Sequence, residues 1–214
     1  MITLLSSYYF GPVQAYAQMV NSDKVIIEQH DHYSRRTYRN RTTILVANGL
    51  MNLIIPVVKP KEKTKTKDIR ISYDTRWQKN HWRSIVSAYN SSPFFEYYSY
   101  DIQHIYEKKW DFLIDLNNET LRAVTEILEI EAEVEFTEEY LSEKTQEIKD
   151  LREIIHPKKD PADFDPSFRP EPYHQVFSEE MDFAPNLSIL DLIFNKGPEA
   201  VSVLEGSIKK IFDT

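Results

Sequence analysis

The sequence predicts a single α/β domain spanning residues 1–214. It has an N-terminal βαβ unit, a β-hairpin extending the sheet, a helical segment and an extended, irregular proline-rich crossing at residues 156–172. Three observations carry this prediction. The apolar run Ile2–Tyr9, a Gly11-Pro12 break, a short helical stretch and a second apolar run follow one another at the start of the chain, the order of a parallel strand pair with its crossover. Asn48-Gly49 lies between two β-favouring runs, a strong hairpin signal. Five prolines fall between His156 and Pro172, and proline disrupts a helix interior and a central strand alike.

The elements follow in order. Ile2–Tyr9 reads as a buried strand, and Val13–Val20 as a short helix with Pro12 at its start. Lys24–Gln29, with Val25, Ile26 and Ile27, reads as the second buried strand. Arg36–Val46 and Leu50–Val58 flank the turn Ala47-Asn48-Gly49. Residues 59–67 form a basic, mobile loop with no apolar anchor, and Ile69, Ile71 and Tyr73 alternate with polar residues as a half-exposed strand. His81, Trp82, Ile85, Val86 and Tyr89 recur at helical spacing, Asn90-Ser91-Ser92-Pro93 ends that helix, and residues 94–106 give a second. Asn117 is placed to cap a third helix with Leu121, Val124 and Leu128 inward, and Asn186 a last one over Leu187–Phe194, stopped by Gly197-Pro198. Residues 200–214 read as one more short helix. Residues 126–153 carry eleven acids against three bases and read as a solvated helix and loop face.

Composition removes several function classes. The chain contains no cysteine, which excludes disulfides, thiol nucleophiles and cysteine-ligated metal centres. The four glycines, Gly11, Gly49, Gly197 and Gly206, are too scattered for a phosphate-binding P-loop or a dinucleotide fingerprint. The formal charge of −8 argues against a nucleic-acid partner. No apolar run is long enough to span a membrane, and the start lacks the basic and apolar regions of a secretory signal, so a cytoplasmic protein is expected. Aromatic residues reach 13%, with 13 Tyr, 11 Phe and 3 Trp. Phenols and indoles stack on flat polar ligands, though they also fill cores.

The sharpest local feature is residues 33–41, where four arginines and two tyrosines crowd beyond the second strand. In an extended chain Arg39 and Arg41 share a face and can grip a phosphate or carboxylate together. The competing reading is a solvated basic edge or internal ion pairs. The turn at Pro12 can offer a helix N-terminus to an anion, and Tyr9, Tyr38, Asn40 and Trp82 complete the candidate walls. Glu28 and His81 are the candidate proton carriers, His81 because imidazole titrates near neutrality; a satisfied histidine at the core boundary is its structural alternative. His30 and His32 could ligate a cation with Glu28 or Asp31, but no third imidazole is near in sequence and no metal is assigned. Nothing resembling a nucleophile elbow surrounds Ser84, so a triad with His81 and Asp74 is rejected. No cofactor is indicated.

The blocks Tyr9-Phe10-Gly11-Pro12-Val13-Gln14-Ala15-Tyr16, Tyr38-Arg39-Asn40-Arg41, Ile55-Pro56-Val57, Trp77-Gln78-Lys79-Asn80-His81-Trp82-Arg83-Ser84-Ile85, Tyr89-Asn90-Ser91-Ser92-Pro93-Phe94-Phe95-Glu96-Tyr97-Tyr98 and residues 187–199 resemble, in this order and spacing, the WbqC-like family. The resemblance implies a bacterial cytoplasmic protein associated with surface-polysaccharide or O-antigen genes. The family's activity is poorly defined; it is suspected of transferring an acyl or aminoacyl group to a nucleotide-linked amino sugar. By position, the resemblance implies Tyr9, Phe10, Pro12 and Arg39-Asn40-Arg41 as site elements. Ser6-Ser7-Tyr8-Tyr9-Phe10-Gly11-Pro12 stands where many members have a Gln-Pro-Asn-type loop, which implies a different substrate if that loop touches it.

The expectation is therefore a protein that binds a small anionic metabolite such as a nucleotide-sugar and modifies it. No signature of a known catalytic mechanism is visible. A non-catalytic binding or scaffold protein of a polysaccharide-assembly complex stands as the alternative, and an oligomer is compatible with either.

Overall fold

In the computed structural model, which describes residues 1–142 and 147–209, the predicted βαβ unit is present. Strand β1 (Ile2–Ser6) leads through helix α1 (Val13–Val20) to β2 (Lys24–Glu28), and the two strands pair in parallel from Ile2 opposite Lys24 to Ser6 opposite Glu28. Leu4, Leu5, Val25 and Ile27 are buried, as expected for strands covered on both faces.

The sheet grows from a stretch in which no strand was expected. Strands β5 (Glu133–Phe136) and β6 (Ile148–Asp150) come from the acidic region and flank the first two, giving the parallel order β5-β2-β1-β6. The sequence reading of 126–153 as solvated helix and loop is corrected here. The acids are compatible with a strand because they stand on an edge: Glu133 and Glu135 alternate with Val134 and Phe136, and Lys24 on β2 pairs with both glutamates. Residues 143–146 of that acidic stretch and residues 210–214 of the terminal helix expectation lie outside the described residues.

The hairpin is formed by β3 (Arg41–Val46) and β4 (Gly49–Ile54) around a two-residue turn, Ala47-Asn48. Gly49 takes φ +105°, a value that excludes most side chains. The hairpin does not extend the parallel sheet; it forms a two-stranded sheet of its own. Its inner residues Ile44 and Leu53 are buried beneath helices α2 (Trp77–Tyr89) and α6 (Ile189–Lys196), which pack on β3. The expected strand at Ile69–Asp74 is reduced to isolated bridges, Val57 with Ile71 and Arg70 with Phe112.

Helices α3 (Phe95–Glu107) and α4 (Leu113–Ile127) follow α2 and pack against one another in sequence. Asn117 is not a cap. It lies inside α4, and its amide donates to Ser7 Oγ and to the Arg39 carbonyl. The proline-rich crossing admits one turn of helix, α5 (Pro161–Phe164), because Asp160 caps it and Pro161 occupies its first position, where no N–H is needed. Ser188, rather than Asn186, caps α6. α7 (Ala200–Gly206) packs with α6 on α1. The basic loop is held rather than mobile: Thr66 N–H and Lys67 N–H donate to the carbonyls of Asp31 and Gln29, and Tyr33 N–H to that of Thr64.

Candidate functional site

Arg39 and Arg41 do not form the expected fork. Residues 33–40 turn rather than extend, with Arg36 at φ +62°, so the two-residue alternation that would align them begins only at Arg41, the first residue of β3. Arg39 is 4% exposed; it forms an ion pair with Asp31 and donates to Ser6 Oγ at 2.8 Å. It fastens the β1–β2 end of the sheet and is not free to hold a ligand.

Three further expectations are corrected on the same grounds. Glu28 is fully buried, and its two oxygens accept from His30 N–H, Thr137 Oγ1, Leu141 N–H and Arg152 Nη1 at 2.8–3.0 Å. A carboxylate saturated by four donors is a tie between strands, not an available base. The N-terminus of α1 beyond Pro12 is closed, since Val13 N–H donates to the Leu187 carbonyl and Gln14 N–H to Asn186 Oδ1. Tyr9 and His81 are buried together: the Tyr9 hydroxyl lies 3.0 Å from His81 Nδ1 and 2.7 Å from the Tyr106 hydroxyl. Burial lowers the His81 pKa to about 4, with the Ile54 carbonyl pulling the other way. Burial thus favours the neutral imidazole, whose Nδ1 shares a hydrogen bond with the Tyr9 hydroxyl.

The predicted residues Tyr38, Asn40, Arg41 and Trp82 line three spaces. The largest of these three, about 670 Å³, opens between the hairpin and the proline-rich crossing. Tyr38, Arg41 and Asn52 line it from one side, and Lys158, Lys159 and Arg169 from the other, against the single acid Asp160, which is occupied as the α5 cap. Arg41 Nη2 donates to the Arg36 carbonyl at 2.8 Å, and its buried Nε has no partner. Beyond Arg41, a smaller recess of about 230 Å³ is lined by Asn40, Tyr33, Arg35 and Arg36. Asn40 gives its amide to the Ile55 carbonyl, but its Oδ1 and the Tyr33 hydroxyl are buried without partners. Arg41 therefore stands on the wall shared by both spaces. His156 adjoins the larger cleft; burial, then the neighbouring Lys159, holds its pKa below the usual imidazole value. The third space, near Trp82, is separate.

The sequence reading missed Lys158, Lys159 and Arg169. Their signal was present as Pro157-Lys158-Lys159 and Arg169-Pro170, cations pinned in a segment where proline limits chain freedom. Among the described residues no group of three or more His, Asp or Glu side chains is placed to hold a metal ion. Among the described residues no helix is long and apolar enough to cross a membrane.

These features define a mixed α/β protein in which a cationic cleft is built against a β-hairpin beside a parallel sheet. A family model described as the WbqC-like protein family matches residues 7–159, and the chain belongs to that family. It is similar to the uncharacterized protein Rv1507c of Mycobacterium tuberculosis, with 28% identity over 227 residues covering 95% of this chain and 96% of the relative. No solved structure matches.

Proposed function

We propose that the chain binds a small anionic metabolite, a nucleotide-linked sugar, in the cleft between the hairpin and the proline-rich crossing, and acts on it in the cytoplasm during bacterial surface-polysaccharide biosynthesis by acyl or aminoacyl group transfer. One observation carries this reading. In a chain of net charge −8, Arg41, Lys158 and Arg169, from two separate segments, line one cavity whose single lining acid, Asp160, is already occupied, while the Lys159 ammonium on the same wall is engaged by the Glu153 carbonyl. Such a lining attracts a diphosphate and leaves the Tyr38 side and the prolines as apolar wall for the rest of the ligand. Arg41 is the principal grip, and Lys158 and Arg169 supplement it from the exposed rim. Group transfer in such a site rests on orientation of the two reactants.

The test is a thermal-shift screen of the wild-type chain and R41A against UDP-, GDP- and dTDP-sugars. Stabilisation of the wild type that is absent in a folded R41A supports the site; equal shifts in both remove it.

The scaffold reading is favoured by a different observation. Among the described residues β4 pairs only with β3, and it displays Leu50 and Ile54 at 64% and 53% exposure. An unpaired edge with exposed apolar side chains suits protein contact. Sedimentation of the purified chain against L50D/I54D distinguishes this reading: an assembly lost in the variant, without any nucleotide-sugar response in the wild type, favours the scaffold.

A further inference from the structure

A second cavity of about 450 Å³ lies between the first turn of α2 and the last turn of α3. None of Tyr38, Arg41, Lys158 or Arg169 lines it. Its walls include four aromatic side chains. Tyr73 and Trp77 stand with ring centroids 6.1 Å apart, and Trp82 and Tyr106 5.7 Å apart. Arg76, Lys79 and Lys109 also line it, against one acid, Glu107. Lys109 holds its ammonium 5.3 Å from the centre of the Tyr73 ring.

Two independent features of this cavity point to a ligand. α2 is 13 residues long and begins here without closure: Arg76 supplies no capping hydrogen bond and the first turn contains no acid. The partial positive charge of the helix end is therefore not answered by its N-cap or from within its own first turn. Separately, Trp77 is only 3% exposed, yet its indole Nε1 has no hydrogen-bond partner. An indole N–H can only donate, and a buried donor without an acceptor is a standing cost that a ligand acceptor would remove.

We propose that this cavity is a binding site for a planar ring carrying a negative charge. The ring lies among the aromatic walls, an acceptor on it meets Trp77 Nε1, and the anionic group rests at the start of α2 between Lys79 and Lys109. Aromatic faces favour a flat π-system, and the excess of cations favours an anion. A neutral sugar offers neither a π-face nor a charge, and a sugar phosphate offers only the charge. Nucleoside monophosphates and aromatic carboxylates share the required chemistry. The proposal does not depend on the anion cleft at Arg41.

The test uses intrinsic fluorescence of the full chain, because two of its three tryptophans, Trp77 and Trp82, wall the cavity. The wild type, K79A/K109A and R41A are titrated with UMP, with benzoate and with ribose 5-phosphate. Lys79 and Lys109 are exposed, so their removal leaves packing intact. The expected result is saturable quenching by UMP, benzoate or both, none by ribose 5-phosphate, affinity weakened about tenfold or more in K79A/K109A, and no change in R41A. UMP alone identifies a nucleotide site and benzoate alone an aromatic-acid site. Quenching by neither, equal quenching by ribose 5-phosphate, or undiminished affinity in K79A/K109A overturns the proposal. If R41A instead abolishes the quenching, the ligand belongs to the hairpin cleft and this cavity is not its site.

Discussion

Arg39 and Asp31 form an ion pair inside the protein, and the pair is completed by Ser6 Oγ on the arginine and Thr66 Oγ1 on the aspartate. It joins the end of β1, the segment after β2 and the basic loop at residues 59–67. Three separate stretches of chain thus meet at one charge pair, which explains why a loop with no apolar anchor is held in place.

Removing one partner of this pair leaves a buried charge uncompensated. R39M and D31L are each expected to lose about 3–5 kcal/mol of folding stability in denaturant titrations. The double variant R39M/D31L is expected to lose much less than the sum, because no charge is then stranded. Additive losses would show that the two side chains act independently.

The hairpin cleft makes a different demand on its cations. Lys158 and Arg169 are exposed and stand at its rim, where salt screens charge over about 8–10 Å. Binding of an anionic ligand there is expected to weaken steadily as ionic strength rises, and K158A/R169A is expected to flatten that dependence without altering the melting temperature of the free protein. Calorimetric titration at several salt concentrations measures both. A salt dependence identical in the variant would place the anion elsewhere.

Gly197 ends α6 at φ +51°, and a Cβ built on it would lie 2.5 Å from a carbon of the Phe94 ring. Phe94 is fixed in turn by its N–H, which donates to the Phe194 carbonyl at 3.0 Å. G197A therefore combines backbone strain with overpacking, and a loss of about 2–4 kcal/mol is expected from equilibrium unfolding. A variant as stable as the wild type would mean that the ring swings aside freely.

The βαβ unit was legible because its strands are continuous apolar runs and its helix is bounded by Pro12 and Asn21. Strands β5 and β6 were not, for a physical reason. They are edge strands of four and three residues, and Glu133-Val134-Glu135-Phe136 carries the charges that an edge tolerates. Only the register with Lys24 shows those charges to be part of a sheet. Within the candidate site, Arg41 reaches the cleft with Thr43, as the alternation from Arg41 onward requires, and Tyr38 reaches it from the turn before β3. Arg39 does not, because the chain turns before β3 and its nearest carboxylate, Asp31, lies in the same stretch of sequence but across a turn. Glu28 and His81 were recognisable as titratable groups. Their saturation by Arg152 and Tyr9 depends on residues 124 and 72 positions away, and no local pattern encodes such distances.

Two buried groups give the folded state opposing responses to acid. Asp191, enclosed by α6 and held by Tyr173 and Gln175, has its pKa raised by burial to about 6. Its folded value lies above its unfolded one, so the stability it costs appears as pH rises from about 4 to about 6 and is recovered on acidification. His81, with its pKa lowered to about 4 by burial, behaves in the opposite sense: the unfolded chain takes up a proton below about 6.5, and stability is lost as pH falls towards 4. Each contribution is on the order of 3 kcal/mol, so they largely cancel between pH 4 and 6. D191N removes the first and is expected to leave a protein whose stability, relative to the wild type, falls as the medium is acidified from pH 6 to pH 4. H81N, whose side-chain carbonyl can still accept from Tyr9, removes the second and is expected to show the reverse slope. Urea unfolding at intervals across this range measures both differences. Parallel pH profiles for the wild type and the two variants would show that neither group titrates differently in the folded and unfolded chains.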